Sequence, residues 1–147
     1  MKFYHCESCG AVLATLVDTG APLTCCGKPM TLLTAGTTDG AFEKHVPVLD
    51  LDGSTLQVKV GEQKHPMTPE DASERIVAVQ GTHMQCKRLW PDEEPAAEFQ
   101  IEPGRPVTVF EYCNLHGLWK TTLVNTVDPN TEDHDELIAC SPEFPQG

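Results

Sequence analysis

Long apolar segments are absent from this chain of 147 residues. No run approaches the roughly 18 consecutive apolar residues that a membrane-spanning helix needs, so we expect no membrane partner. The first ten residues, MKFYHCESCG, lack the apolar core of a secretory signal. These two absences predict a cytoplasmic protein.

Positive charge is also scarce. The chain has 10 lysine and arginine residues against 22 aspartate and glutamate residues, and its formal net charge is -12. Because binding to phosphates requires a basic face, this composition argues against a nucleic-acid partner. An anionic substrate would be repelled by the average field and would need a local positive group.

Helical periodicity is missing too, and the sequence divides into three regions. Residues 1–36 carry four of the seven cysteines and little material for a core, so they should need a metal to fold. Residues 34–40 are small and polar, which predicts a linker. Residues 41–124 contain short β-branched runs between turn signals, a pattern typical of a β-sandwich or barrel. Residues 125–147 form an acidic extension. The predicted strands are Val46–Leu51, Thr55–Val60, Ile76–Gln80, Pro106–Tyr112 and Leu118–Val124.

Four cysteines form the first candidate metal site. Cys6 and Cys9 are two residues apart, and the adjacent pair Cys25 and Cys26 follows after a loop. Two such pairs are the usual way to surround one tetrahedral metal, and four thiolates suit iron or zinc. The spacing leaves redox iron and structural zinc open, with a disulfide as the less favoured alternative. The adjacent pair predicts a distorted tetrahedron.

Three histidines and a cysteine form the second candidate site. His45, His65, Cys113 and His116 all lie at the ends of predicted strands, where the loops of a sandwich cluster. Imidazoles and a thiolate are good ligands for iron, copper or zinc. Taken singly, each histidine is equally compatible with a solvated residue, and Cys113 with a buried free thiol.

Together these motifs resemble the desulfoferrodoxin family, the two-iron class of superoxide reductase. The resemblance covers residues 1–121 and implies a mainly β protein. It implies a small desulforedoxin-like metal-binding domain followed by an immunoglobulin-like β-sandwich. The matching stretches are Cys6-Glu7-Ser8-Cys9-Gly10, Cys25-Cys26-Gly27-Lys28-Pro29-Met30, Glu43-Lys44-His45-Val46-Pro47, His65-Pro66-Met67 and Cys113-Asn114-Leu115-His116-Gly117-Leu118-Trp119.

The resemblance also implies roles for these residues. One iron would be held by the four cysteines. A second would lie in a plane of imidazoles that includes His45, His65 and His116, with the Cys113 thiolate as its axial ligand. The implied reaction is the one-electron reduction of superoxide, or of another small oxygen species, to hydrogen peroxide.

Two charged residues beside His45 complete the implied site. Lys44 would attract the superoxide anion, and Glu43 would approach the iron after its oxidation. From the sequence alone, without the resemblance, both are interpreted as solvated surface residues. The resemblance further implies a homodimer and an electron donor such as rubredoxin or a flavoprotein.

The sequence departs from the family pattern in two places. The family has a fourth histidine six residues after the one in the His-Pro-Met motif, and here that position is Asp71. Asp71 is therefore either a carboxylate ligand, which would lower the reduction potential of the iron, or a solvated residue in a turn that begins at Thr68. His83 is a more distant substitute. The acidic extension, with His134 and Cys140, is the second departure.

The altered site leaves two other functions open. Histidines, a carboxylate and open positions are also typical of non-haem iron enzymes that activate oxygen on an organic or sulfur-containing substrate. Alternatively, the chain is an electron-transfer protein whose second site is degenerate. Cys86 lies outside both ligand sets and is interpreted as an ordinary unpaired thiol.

Overall fold

The computed structural model describes residues 1–38 and 40–124. Within them the chain divides into two compact units, one comprising Met1–Thr34 and the other beginning at Ala35. The three domain ranges expected from the sequence stay a prediction. The extension at residues 125–147, with His134 and Cys140, lies outside the described residues.

The N-terminal unit contains short strands around a very small core. β1 is the centre of a three-stranded antiparallel sheet with β2 and β5, and β3 and β4 form a separate hairpin. Its buried apolar side chains among the described residues are Phe3, Cys6 and Met30. So small a core is typical of a unit that a bound metal stabilises. The strands are β1 (Phe3–His5), β2 (Val12–Ala14), β3 (Thr24–Cys25), β4 (Lys28–Pro29) and β5 (Thr31–Leu33).

The second unit is a sandwich of two antiparallel sheets, which confirms the predicted fold class. One sheet has the strand order β10-β9-β12-β13, with β8 paired to β9, and the other has the order β11-β7-β6. Within the described residues, no helix is long and apolar enough to cross a membrane. The elements are α1 (Phe42–His45), β6 (Pro47–Asp52), β7 (Thr55–Val60), β8 (Met67–Thr68), β9 (Asp71–Gln80), β10 (His83–Arg88), β11 (Ala96–Gln100), β12 (Val107–Cys113) and β13 (Gly117–Leu123).

The alternation of residue types along β7 shows why these segments form half-buried strands. Leu56, Val58 and Val60 are buried, whereas Gln57 and Lys59 between them are exposed. Successive side chains of a strand point to opposite faces, so one face of β7 enters the core and the other meets solvent. Burying each aliphatic side chain stabilises the fold by roughly 1.5–3 kcal/mol. Opposite them, the core includes Ile76, Ala78, Val107 and Val109 of the other sheet.

The predicted strands all form, but the chain before the third one differs from expectation. The segment from Thr68 to Asp71 forms a hairpin in which β8 pairs with β9, with Thr68 opposite Asp71. β9 therefore begins at Asp71, five residues before the predicted Ile76. This extension brings Asp71 to the end of the sandwich where the second metal site is assembled.

Candidate metal centres

The four N-terminal cysteines converge on one point. Cys6 and Cys9 follow β1, Cys25 lies in β3, and Cys26 lies in the turn to β4. Each contributes a sulfur, and these atoms lie within 4.8 Å of one another. The Cys9 Sγ–Cys25 Sγ distance is 3.7 Å, and the Cys25 Sγ–Cys26 Sγ distance is 3.9 Å. A tetrahedral metal with bonds of about 2.3 Å places its sulfurs about 3.8 Å apart, so the cluster fits such an ion.

The adjacent pair meets this spacing through its backbone. The distorted tetrahedron stays a prediction. Cys26 has a φ of 53°, in the left-handed region that non-glycine residues seldom occupy, and Gly27 follows with a φ of 72°. Bringing the sulfurs of two adjacent residues together therefore requires an unfavourable backbone conformation at Cys26.

The pKa values of thiols in this cluster also indicate a cation site. Backbone N–H groups, first that of Cys9, lower the pKa of Cys6 to about 6. Hydrogen bonds with the neighbouring sulfurs, first that of Cys6, raise the pKa of Cys25 to about 12. The four cysteines are free thiols in the structure, which argues against the disulfide alternative. The donor set fits iron or zinc, since a bound cation would replace the protons that these hydrogen bonds keep on some of the sulfurs.

The second candidate site lies at one end of the sandwich. His45 ends α1, His65 follows β7, Asp71 begins β9, Cys113 ends β12 and His116 lies in the turn before β13. One ligand atom each from His45, His65, Asp71 and Cys113 lies within 4.8 Å of the others. Strands of both sheets therefore contribute to the same site, as sequence reasoning predicts for residues at strand ends.

His45 and His65 are oriented by backbone carbonyl groups. The Nδ1 atom of His45 lies 2.8 Å from the carbonyl oxygen of Ala41, and that of His65 contacts the carbonyl oxygen of Pro66. Each Nδ1 therefore carries the proton, and the two Nε2 lone pairs face each other at 3.2 Å. Metal–nitrogen bonds of about 2.1 Å at right angles would place these atoms about 3.0 Å apart. Burial lowers the pKa of both rings, which favours the neutral form that binds metals.

Cys113 is buried, and its surroundings oppose a bare thiolate. Burial raises the pKa of its thiol to about 12. The backbone N–H of His116, 3.4 Å from the sulfur, and that of Leu115 lower the pKa but do not offset this burial. Because a bound cation replaces the thiol proton, this buried sulfur fits the role of a metal ligand.

His116 faces the same space as the other donors. Its Nδ1 lies 3.5 Å from Oδ1 of Asp71 and 3.8 Å from Sγ of Cys113. Its ring centroid lies 4.6 Å from that of His45. Trp119, which sequence reasoning did not single out for the site, donates its indole N–H to the carbonyl oxygen of His116 at 3.1 Å. The Trp119 ring also lies 5.0 Å from the His45 ring, so one aromatic side chain supports two histidines.

The predicted linker at residues 34–40 is in part a wall of this site, which corrects the sequence interpretation. Thr38 donates a hydrogen bond to the carbonyl oxygen of His116. A Cβ placed on Gly40 would lie 3.1 Å from the Trp119 ring and 3.2 Å from the His116 Cβ. Glycine at this position therefore lets the chain pass directly over the His116 turn.

Glu43 and Lys44 lie on α1 directly before His45. Glu43 is exposed and Lys44 is half-buried. The backbone N–H of Gln63 donates to the Glu43 carbonyl oxygen at 2.8 Å, which ties α1 to the turn after β7. After burial, the Lys44 charge is among the smaller contributions that lower the pKa of His65. The Lys44 charge is thus near enough to the second site to affect its electrostatic potential.

Glu111 is a buried carboxylate beneath the site that the sequence pattern did not reveal. It lies two residues before Cys113 on the inner face of β12 and is fully buried. Burial raises its pKa to about 8, which the nearby Ser73 hydroxyl offsets only in part. Neither carboxylate oxygen has a hydrogen-bond partner among the described residues.

Two residues considered from the sequence lie away from the second candidate site. His83 is exposed on β10 and pairs with Gln80, at the opposite end of β9 from Asp71. A strand of this length separates its ends by roughly 30 Å, so His83 is too far from Asp71 to join the second candidate site. Cys86 is an exposed free thiol on the same strand β10.

Comparison with known proteins identifies similar chains for both units. The family model described as desulfoferrodoxin matches residues 37–122, and the model of its N-terminal domain matches residues 1–33. The desulfoferrodoxin of Nitratidesulfovibrio vulgaris is 43% identical over 119 residues, covering 81% of this chain and 94% of that protein. The desulfoferrodoxin of Clostridium acetobutylicum is 40% identical over 124 residues, covering 84% and 97%.

Among solved structures, the chain resembles the superoxide reductase of Treponema pallidum. The TM-score is 0.67 at 30% sequence identity, and the match covers 82% of this chain and 97% of that one. The one-iron superoxide reductase of Giardia intestinalis matches with a TM-score of 0.50 at 29% identity, covering 55% and 97%.

Proposed function

The chain belongs to the desulfoferrodoxin family, and from that premise we propose that it is a non-haem iron oxidoreductase that reduces superoxide to hydrogen peroxide. The observation that carries the proposal is the convergence of two imidazoles, those of His45 and His65, with the buried Cys113 thiol at the end of the sandwich. Nδ1 of His116 lies 3.8 Å from the Cys113 sulfur. His45, His65, His116 and Cys113 would hold the reactive iron. Bound there, iron supplies the single electron that superoxide takes up together with two protons.

We propose two iron atoms per chain, the other held by Cys6, Cys9, Cys25 and Cys26. Support comes from the sulfur spacing, which suits a tetrahedral ion, although the same spacing suits zinc. An external donor such as rubredoxin or a flavoprotein would return the electron after each turnover. The donor's identity is part of the proposal, since the site only requires a one-electron reductant.

The chain's own residues bring the substrate to this site. Superoxide is an anion and the chain has a formal net charge of -12, so approach requires a local positive group. We propose that Lys44 supplies it, because its charge reaches His65. We propose that Glu43, exposed on the same helical turn, approaches the metal position once the electron has left.

The stoichiometry of superoxide consumption tests the function. Ferrous protein is mixed with superoxide in a stopped-flow instrument, and hydrogen peroxide and oxygen are both quantified. A reductase yields one hydrogen peroxide per superoxide and no oxygen, whereas dismutation yields half as much peroxide and releases oxygen. Oxygen uptake that depends on an organic substrate, without superoxide consumption, would support the oxygenase alternative instead.

Cys113→Ser serves as the matched variant for this experiment. It should abolish superoxide reduction and the thiolate-to-ferric absorption band of the second site, because serine cannot replace the sulfur ligand. The four-cysteine centre should keep its own absorption. Normal superoxide reduction by this variant would refute the role of the thiolate.

We also propose a homodimer and a cytoplasmic location. Several apolar side chains of the N-terminal unit are exposed, which supports a dimer, and a reducing compartment keeps the cysteines available for metal. Light scattering coupled to size-exclusion chromatography would measure the mass in solution. The exposed side chains are Leu13, Leu16, Val17 and Leu32.

A further inference from the structure

We propose that the Asp71 carboxylate is a direct ligand of the second metal centre, an inference that builds on the iron assignment above. The family has a histidine at this position, so the chain would bind its reactive metal through three imidazoles, one carboxylate and one thiolate. The carboxylate would occupy the place in the plane between His65 and His116. Its negative charge would then make the oxidised metal more stable than in a site with four imidazoles.

The distances around Asp71 support this position. Its Oδ1 atom lies 3.5 Å from Nδ1 of His116, 3.9 Å from Nε2 of His65 and 3.4 Å from Sγ of Cys113. On the other side, the Nε2 atoms of His45 and His65 are 3.2 Å apart, and the His45 and His116 rings are neighbours. Asp71 therefore lies between His65 and His116, and His45 is the neighbour of the same two histidines.

Hydrogen bonds of Asn114 hold the hairpin that carries Asp71 beside Cys113. The Asn114 backbone N–H donates to the Ala72 carbonyl oxygen at 3.1 Å, and the Ala72 N–H donates to Oδ1 of Asn114 at 2.9 Å. The Asn114 side-chain amide also donates to the Pro69 carbonyl oxygen at 2.9 Å. Three hydrogen bonds from one residue thus join the hairpin that carries Asp71 to the residue after Cys113.

The surroundings of the Asp71 carboxylate and the Cys113 sulfur favour a cation that both groups bind. The Asp71 side chain is 24% exposed, and its Oδ1 lies close to three groups that bind metals. The Cys113 thiol donates a hydrogen bond to this Oδ1 atom at 3.4 Å, and a bound cation would take the place of that proton. This arrangement differs from the solvated turn residue that the sequence also allowed.

A carboxylate ligand predicts a measurable change in the metal's properties. Oxygen anions are harder ligands than imidazoles and stabilise the ferric state. The midpoint potential should therefore be lower than in a four-histidine site, and the thiolate-to-ferric band should lie at higher energy. The electron donor for such a site must be a correspondingly stronger reductant.

The test compares Asp71→His and Asp71→Asn with the control Glu70→Gln in iron-loaded full-length protein. Glu70 is the exposed neighbour of Asp71, so its replacement removes the same charge from the adjacent position. The readouts are the ferric electron paramagnetic resonance signal, the energy of the thiolate-to-ferric band and the midpoint potential. Both Asp71 variants should move the band to longer wavelength and raise the potential, and Glu70→Gln should change neither.

The outcomes separate this inference from the proposed function. Asp71 variants with the band, potential and resonance signal of the wild type would overturn the ligand role, whatever their activity. A shift caused equally by Glu70→Gln would also overturn it, because a general field effect would then explain the data. If wild-type protein fails to reduce superoxide but the Asp71 variants shift the band, the function proposal fails and the ligand assignment stands.

Discussion

At the scale of single residues, the buried Glu111 should make the stability of the sandwich depend on pH. Its pKa rises from an ordinary 4.5 to about 8 in the folded chain, chiefly through burial. The folded state therefore binds more protons than the unfolded state between these values, and stability falls as pH rises through that window. The loss is about 1.4 kcal/mol for each pH unit, or roughly 3 kcal/mol by pH 7.

Glu111→Gln tests this dependence. The neutral amide does not titrate, so the variant should gain stability relative to the wild type as pH rises from 5 to 8. Urea unfolding of metal-free protein at several pH values would measure the difference. A wild type and a variant whose stabilities change in parallel across this window would contradict the prediction.

The positive charge of Lys44 should raise the rate of the proposed reaction with superoxide. Lys44→Gln should slow the second-order reaction with superoxide by roughly tenfold, because electrostatic steering typically contributes tenfold or more to association rates. Lys87→Gln is the control, since it removes the same charge from an exposed position on β10. Equal effects of the two changes would show that only net charge matters. The rates should be compared at several salt concentrations, since screening weakens local steering.

At the scale of elements, α1 depends on the turn at Gly61. This glycine has a φ of 78°, and a Cβ there would lie 2.6 Å from the Glu43 carbonyl oxygen. Gly53 has a similar φ of 61°, but a Cβ there would meet nothing within 4 Å. The two positions therefore share the backbone strain and differ in the contact with α1.

Gly61→Ala should destabilise the sandwich by about 2 kcal/mol or more and reduce metal binding at the second site. The contact would push back the turn that carries Lys44 and His45. Gly53→Ala should show only the smaller cost of the left-handed backbone. Thermal unfolding and iron content would measure both effects, and equal losses in the two variants would exclude a special role for the α1 contact.

The strands themselves differ in how well the sequence predicts them. β7 alternates cleanly between buried and exposed residues, and its predicted ends agree with the structure. β10 and β11 were not predicted, because the sequences HMQCKR and AAEFQ lack a clear run of β-branched residues. Their strand conformation comes from pairing with β9 and β7, which a local pattern does not contain.

At the scale of the whole molecule, the two compact units should lose their metals independently. Cys9→Ser removes one ligand of the four-cysteine site, and the N-terminal unit has little core to keep it folded without metal. The second unit has its own apolar core. Iron content should fall to that of the second site alone.

Hydrogen exchange would identify the part of the chain that unfolds in this variant. Amide protection should be lost within Met1–Thr34 and kept in the strands of the sandwich. The reaction of the second site with superoxide should persist when electrons are supplied by a small-molecule reductant. Loss of both metals in Cys9→Ser would contradict the independence of the two units.

The family, the fold class and the two groups of candidate donor residues were predictable from the sequence. Cysteine pairs and the His-Pro-Met motif are local, so their chemistry can be read from spacing. The way in which the second site is closed follows from the fold. Asp71 lies beside His116 because β9 pairs with β12. Gly40 packs against Trp119 because the segment that resembles a linker folds over the His116 turn. Such contacts depend on sheet register and on residues distant in sequence, which no local pattern specifies.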